Sequence, residues 1–148
     1  MSFFISIILL FSVSLNNEFS INPNQHSNFE LEITLTNIKK PGNVFIAIYN
    51  NALDFNSGGD SINKMTYRIK ETIVNQSFSK KIILKEGTYA FKVYIDNNNN
   101  NKLDFNFLGF PKEQFGFSND IMSISGSPKF KASSFKLDSN KAIKTKMK

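Results

Sequence analysis

Asp96-Asn97-Asn98-Asn99-Asn100-Asn101-Lys102-Leu103-Asp104 is the stretch whose residue types and spacing could do chemistry. Side-chain oxygens fall at positions 1, 3, 5 and 9 (Asp96, Asn98, Asn100, Asp104), and Lys102 at position 7 can offer its backbone carbonyl. This is the spacing by which an EF-hand-type loop wraps Ca²⁺, a hard cation that takes roughly six to eight oxygens. Position 6, usually Gly, is Asn101, the next most tolerant residue of left-handed backbone. Position 12, usually Glu, is Phe107, so a last ligand must come from elsewhere; Glu113 is the nearest carboxylate downstream. With only Asp96 and Asp104 charged inside the loop, the expected cofactor is Ca²⁺ held weakly, in the roughly 0.1–1 mM range of extracellular modules. The same residues also read as a plain Asn-rich hairpin turn. Both readings stand at this level.

Beyond the loop lie Phe105, Phe107, Phe110, Phe115 and Phe117, interrupted by Gly and Pro. No regular helix or strand fits them. Structurally they read as an irregular excursion pinned to the core by its rings. Functionally they read as an aromatic platform, with Phe110, Phe115, Phe117 and Asn119 as candidate ligand-binding residues. Charge adds a second hint. Lys129, Lys131, Lys136, Lys141, Lys144, Lys146 and Lys148 face only Asp138, which by itself accounts for the net charge of +6. Lys144 and Lys146 alternate with Ile143, Thr145 and Met147, as on one solvated strand face. An anionic envelope component or a polysaccharide is the partner such a face could meet. Nucleic acid is not expected, because almost no Arg is present to read bases.

Catalytic chemistry finds no foothold. The chain has no Cys and one His, His26, in a polar stretch. Thiolate nucleophiles, thiolate zinc sites and disulfides are excluded, and a metal hydrolase would need an all-oxygen site. Asp96, Asp104, Glu113 and Asp120 could supply a carboxylate pair for glycoside hydrolysis, but they are better employed as loop or cation ligands. The expectation is no enzyme and no catalytic residues.

The elements that must position these residues follow from periodicity. Phe3 to Leu15 is an apolar run too short to span a bilayer and suited to a signal-peptide core, with Ser12 and Ser14 forming a small-x-small pattern. The expected organisation is a signal peptide at 1–15, a polar tail at 16–28 and one domain at 29–148, exported and not membrane-spanning. From Phe29 on, apolar and polar residues alternate. Strands are expected at Phe29–Leu35, at Val44–Tyr49 (apolar on both faces, hence central), between Met65 and Val74, at Phe78–Leu84 and at Tyr89–Ile95. Pro41-Gly42 makes a turn, and Asn50–Asn63 a long loop with room for one helical turn. Lys129–Leu137 and Ala142–Met147 complete the set as a last hairpin around Asp138-Ser139-Asn140-Lys141. About seven short strands and no amphipathic helix give an all-β, antiparallel β-sandwich with an irregular Phe-rich loop segment.

The phrase Glu86-Gly87-Thr88-Tyr89 resembles the Gly-x-Tyr strand start of transthyretin-like and carboxypeptidase-regulatory-like sandwiches, where the Tyr plugs a corner of the core. The ordered run Gly87-Thr88-Tyr89, Asp96-x-Asn-x-Asn-x-Lys-Leu-Asp104, Asn106 through Gly109 to Pro111 and Glu113, then Gly116-Phe117-Ser118-Asn119 and Pro128-Lys129-Phe130, resembles the bacterial domain-of-unknown-function family 2141 over about residues 29 to 147. That resemblance implies an extracytoplasmic transthyretin-like or Ig-like sandwich and no particular activity. The expected role is a non-enzymatic binding or structural module of the cell envelope, with a possible calcium-binding loop. The alternative is a carbohydrate-binding module using the Phe-rich segment and the basic C-terminal strand.

Overall fold

The computed structural model describes residues 27–57, 64–123 and 126–148. The expected signal peptide, most of the tail with His26, and Gly58-Gly59 lie outside the described residues. Among the described residues eight strands follow in order: β1 (Asn28–Thr36), β2 (Gly42–Tyr49), β3 (Tyr67–Ile73), β4 (Phe78–Lys85), β5 (Gly87–Asp96), β6 (Phe115–Phe117), β7 (Phe135–Leu137) and β8 (Lys141–Lys146). The described residues also include two short helical turns, α1 (Ala52–Asn56) and α2 (Phe130–Ser133), and a 3-10 turn at Ser118–Asp120.

The strands form two sheets of an all-β sandwich. One has the order β4-β1-β8, with β1 antiparallel to β4 and parallel to β8. The other runs β3-β2-β5, and both β6 and β7 pair with β5. Alternation explains the layering. Leu31, Ile33 and Leu35 of β1 and Val44, Ile46 and Ile48 of β2 are buried, as are Phe91, Val93 and Ile95 of β5. Because strand side chains alternate between faces, these rows meet between the sheets and form the main core. β2 is central, as its two apolar faces imply. Its outer face helps form a second cluster of Tyr49, Phe55, Ala90 and Phe117, with Phe130 packed against it. Asn51 caps α1 by accepting from the Asp54 N–H at 2.9 Å, and so aims Phe55 at Tyr49 and Phe130, edge to face.

Tyr89 does plug a corner. It is buried at the start of β5, and its hydroxyl donates to the Lys85 carbonyl across the β4–β5 turn at 2.9 Å. Burial pushes the phenol pKa up. Where β3 and β4 lie at the edges of opposite sheets, Glu71 pairs with Lys80 and holds its ammonium pKa above the usual value. Both side chains remain well exposed, so this pair contributes little to stability.

The last hairpin is a correction. Residues 129–134 form the helical turn α2 and its flanks, and β7 and β8 do not pair with each other. β7 joins β5 in one sheet and β8 joins β1 in the other, so the chain crosses the sandwich at residues 138–140. Lys129-Phe130-Lys131-Ala132-Ser133 lacks strict alternation, which removes the reason for a strand there. The face of β8 is as expected: Ile143, Thr145 and Met147 point inward and Lys144 and Lys146 outward.

Candidate functional site

The candidate cation-loop residues Asp96, Asn98, Asn100, Lys102 and Asp104, with Glu113, lie together at one end of the sandwich, where β5 runs out at Asp96. Asp96 is fully buried and accepts from the Asn101 N–H at 2.8 Å and the Asn100 N–H at 3.3 Å. The loop thus curls around its first carboxylate. Asn101 holds the left-handed backbone the spacing demands, with φ 62°, and so does Asn99 with φ 61°. Asn98 and Asn100 bring their side-chain amides to the same Oδ2 of Asp104, at 2.7 and 2.9 Å. Asn98 and Asn100 therefore meet Asp104 side chain to side chain, Asp96 is tied to the loop through backbone N–H groups, and Lys102 is exposed with its N–H donating to Asn100 Oδ1 at 2.9 Å.

Glu113 holds the loop from behind. It is 8% exposed, and its two oxygens accept from the Asn97 N–H at 2.9 Å and the Asp104 N–H at 3.3 Å. These donors sit at the two ends of the loop, so one carboxylate clasps both. Lys112 N–H to Asp104 carbonyl, 2.8 Å, closes the same neck. Among the described residues no group of three or more His, Cys, Asp or Glu side chains comes together to hold a metal. The loop carries two carboxylates, Asp96 and Asp104, and the Asn98 and Asn100 amides turn their nitrogens toward Asp104.

The phenylalanines divide. Phe117 is buried in the second cluster and Phe115 packs edge to face against it, 6.0 Å between centroids. Phe105, Phe107 and Phe110 are 54, 96 and 63% exposed, and Leu108 beside them is 65% exposed. The expectation that the rings pin this excursion holds for Phe115 and Phe117 and fails for the other three. Asn106 pins that part of the chain instead, because its side-chain oxygen accepts from the N–H groups of Leu108 and Phe110, both at 3.0 Å. Its own N–H donates to the Phe110 carbonyl at 2.8 Å, and Gly109 supplies the positive φ, 81°, that the turn requires. Phe105, Leu108, Phe110, Phe115, Phe117 and Met122 line a groove of about 470 Å³ beside this turn. Of the four candidate ligand-binding residues, Phe110, Phe115 and Phe117 reach that groove. Asn119 instead faces the 130s, donating to the Ser134 carbonyl at 2.9 Å.

Sequence reasoning missed Ser118. The chain leaves β5 after Phe117 and returns to it at Phe135. In the gap, the buried Ser118 hydroxyl accepts from the Phe91 N–H at 2.9 Å and donates to the Ser133 carbonyl at 2.6 Å. Gly116 is equally constrained, since a Cβ there would lie 2.8 Å from Thr145 Cγ2 and 3.3 Å from Val93 Cγ1. Gly116-Phe117-Ser118-Asn119 is thus an architectural motif: close approach, core ring, gap filler and excursion anchor. Only its order beside the other motifs could have hinted at this.

A family model described as "Uncharacterized protein conserved in bacteria (DUF2141)" matches residues 33–145. No curated protein matches the chain. No solved structure matches it either.

Proposed function

The chain belongs to the bacterial DUF2141 family, and we propose that it is a non-enzymatic binding module of the cell envelope, exported, whose loop end is stiffened by a weakly held Ca²⁺. The observation that carries this reading is the rigid turn beside the loop of residues 96–104, which holds three Phe rings and Leu108 out into solvent. Contiguous exposed apolar surface of this kind marks interaction sites. Asp96, Asn98, Asn100, Asp104 and the Lys102 carbonyl would supply the oxygens, with Glu113 clasping the loop ends. The engagement of the carboxylates also supports a non-catalytic role. Asp96 and Glu113 are buried and bonded to backbone N–H groups, and Asp120 pairs with Lys148 at 3.1 Å.

Thermal melting in Ca²⁺, Mg²⁺ and chelator tests the cation. A ligand present at about 10–100 times its Kd stabilises by roughly 1.4–2.7 kcal/mol. Ca²⁺ at about 10 mM, some 10–100 times the expected Kd, should therefore raise Tm by several degrees over chelator and over Mg²⁺, and the shift should vanish in Asp96→Asn/Asp104→Asn. Equal melts in all three conditions remove the cation. A second reading, a carbohydrate-binding module, draws on the same exposed rings. Lys148, just past the basic strand β8, lines a recess adjoining Phe115. Glycan-array binding that depends on Phe110 would favour it.

A further inference from the structure

We infer that the turn at residues 105–110 is a wedge for an anionic membrane surface, with Phe107 and Leu108 entering the bilayer interface and neighbouring lysines meeting the headgroups. The inference names the partner of the loop end and rests on the envelope reading given above. Phe107 and Leu108 occupy the apex of a turn closed by Gly109 N–H to Asn106 carbonyl at 2.9 Å. The Asn106 side chain locks the same turn from within. Side chains at such an apex stabilise nothing by staying in water. The turn is nevertheless built to keep them there.

The surrounding charge points the same way. Pro111 and Phe115 form a wall shared by two hollows: the apolar groove on one side, and on the other a recess lined by Lys39, Lys40, Lys112 and Lys148. All four lysines are exposed, and Lys102 adds a fifth from the adjacent loop. The acids of this end offset only one of them outwardly. Asp96 and Glu113 are buried against backbone N–H groups, Asp104 is half-buried, and Asp120 is spent on Lys148. Apolar apex and basic flank together match the interface of a bilayer carrying anionic lipid. A sugar fits less well. Phe has no polar tip, Leu108 presents no flat face, and the Asn106 side-chain oxygen is already taken up in closing the turn.

No helix among the described residues is long and apolar enough to cross a membrane. The wedge needs none, because an interfacial contact lies on the bilayer.

The absence of Cys makes the test direct. Leu108→Cys in the full chain carries an environment-sensitive fluorophore, and Glu86→Cys, at the β4–β5 turn on the opposite end, carries the same label as control. Both are mixed with phosphatidylcholine vesicles, with and without phosphatidylglycerol, in Ca²⁺ and in chelator. The expected result is a blue shift and shielding from an aqueous quencher at position 108, not at 86, with phosphatidylglycerol present. The response should weaken several-fold at about 0.5 M salt, where the Debye length falls to only a few ångströms. Phe107→Ser in the labelled chain should lower vesicle affinity roughly tenfold, because interfacial binding scales with buried apolar area. Its melting temperature should stay unchanged, since the ring packs on nothing. A chain that binds vesicles through another segment while the 108 label remains aqueous overturns the inference. So does an equal response at 86 and 108, or a 108 label that answers soluble glycans and not vesicles. Insertion in chelator supports the wedge whatever the cation does, so the two readings fail separately.

Discussion

Glu113→Ala separates two roles that one carboxylate could play at the loop neck. In the structure its oxygens accept from Asn97 N–H at 2.9 Å and Asp104 N–H at 3.3 Å, in a site 8% exposed. A hydrogen bond to a charged group contributes about 1.5–3 kcal/mol, and a buried donor left unpaired carries a penalty of similar size. The 2.9 Å bond belongs in that range. The 3.3 Å bond is long and falls below it, which places the loss at about 2–4 kcal/mol for the pair. Against a total stability of about 5–15 kcal/mol, that is a large fraction. For a domain of this size each kcal/mol moves Tm by about 3–5 °C, so the variant should melt about 10 °C lower. Glu113→Gln keeps one acceptor oxygen and should lose about half as much. The decisive measurement is the melt in chelator. A clasp acts on the loop whether or not a cation is present, so the deficit should be the same in chelator and in Ca²⁺. Amide exchange at Asn97 and Asp104 should accelerate more than exchange in β2. If Glu113→Ala melts within about 2 °C of wild type in chelator and falls only in Ca²⁺, Glu113 is a metal ligand and the clasp is wrong.

Ser118→Ala should destabilise by about 2–4 kcal/mol, because it orphans the Phe91 N–H and the Ser133 carbonyl together; urea unfolding within about 0.5 kcal/mol of wild type would refute the gap-filling role. Gly116→Ala drives a methyl to 2.8 Å from Thr145 Cγ2, so overpacking of about 1–3 kcal/mol is expected in the same assay, relieved by Thr145→Ser. Burial raises the Tyr89 phenol above its ordinary value of 10.0. The stabilisation from its neutral form is complete below that ordinary value and fades as pH rises through the raised one. Alkaline melting should therefore fall less steeply in Tyr89→Phe than in wild type, and ultraviolet titration should show one tyrosine ionising late.

Much of the sandwich was legible because alternation reports directly on which face is buried. Leu31, Ile33 and Leu35 announce β1 without ambiguity, and the two-sided run Val44–Tyr49 announces a central strand. The curl of the Asp96 loop was legible too, since Asn101 is one of few residues at ease with φ 62°. The pairing of β8 was not. A turn signal such as Asp138-Ser139-Asn140 says that the chain reverses, not which sheet edge receives it. Ser118 was hidden for a related reason: a hydroxyl that substitutes for a missing strand residue shows no periodicity. Phe107 misled most directly. Bulk and apolarity predict burial only where the backbone lets a side chain turn inward, and a locked turn apex does not.

The parallel seam between β1 and β8 has a consequence for how the molecule is made. Asn37, just past β1, reaches the Met147 carbonyl across 110 residues of sequence. At synthesis rates of about 5–20 residues per second, β1 therefore waits on the order of 5–20 s for its second neighbour. Through that interval one flank of β1 has bare amides and carbonyls that a strand from any nascent chain could claim. A translating cell gains a window in which the polypeptide is still loose enough to be threaded elsewhere, and it bears the corresponding hazard of tangling if that window is prolonged.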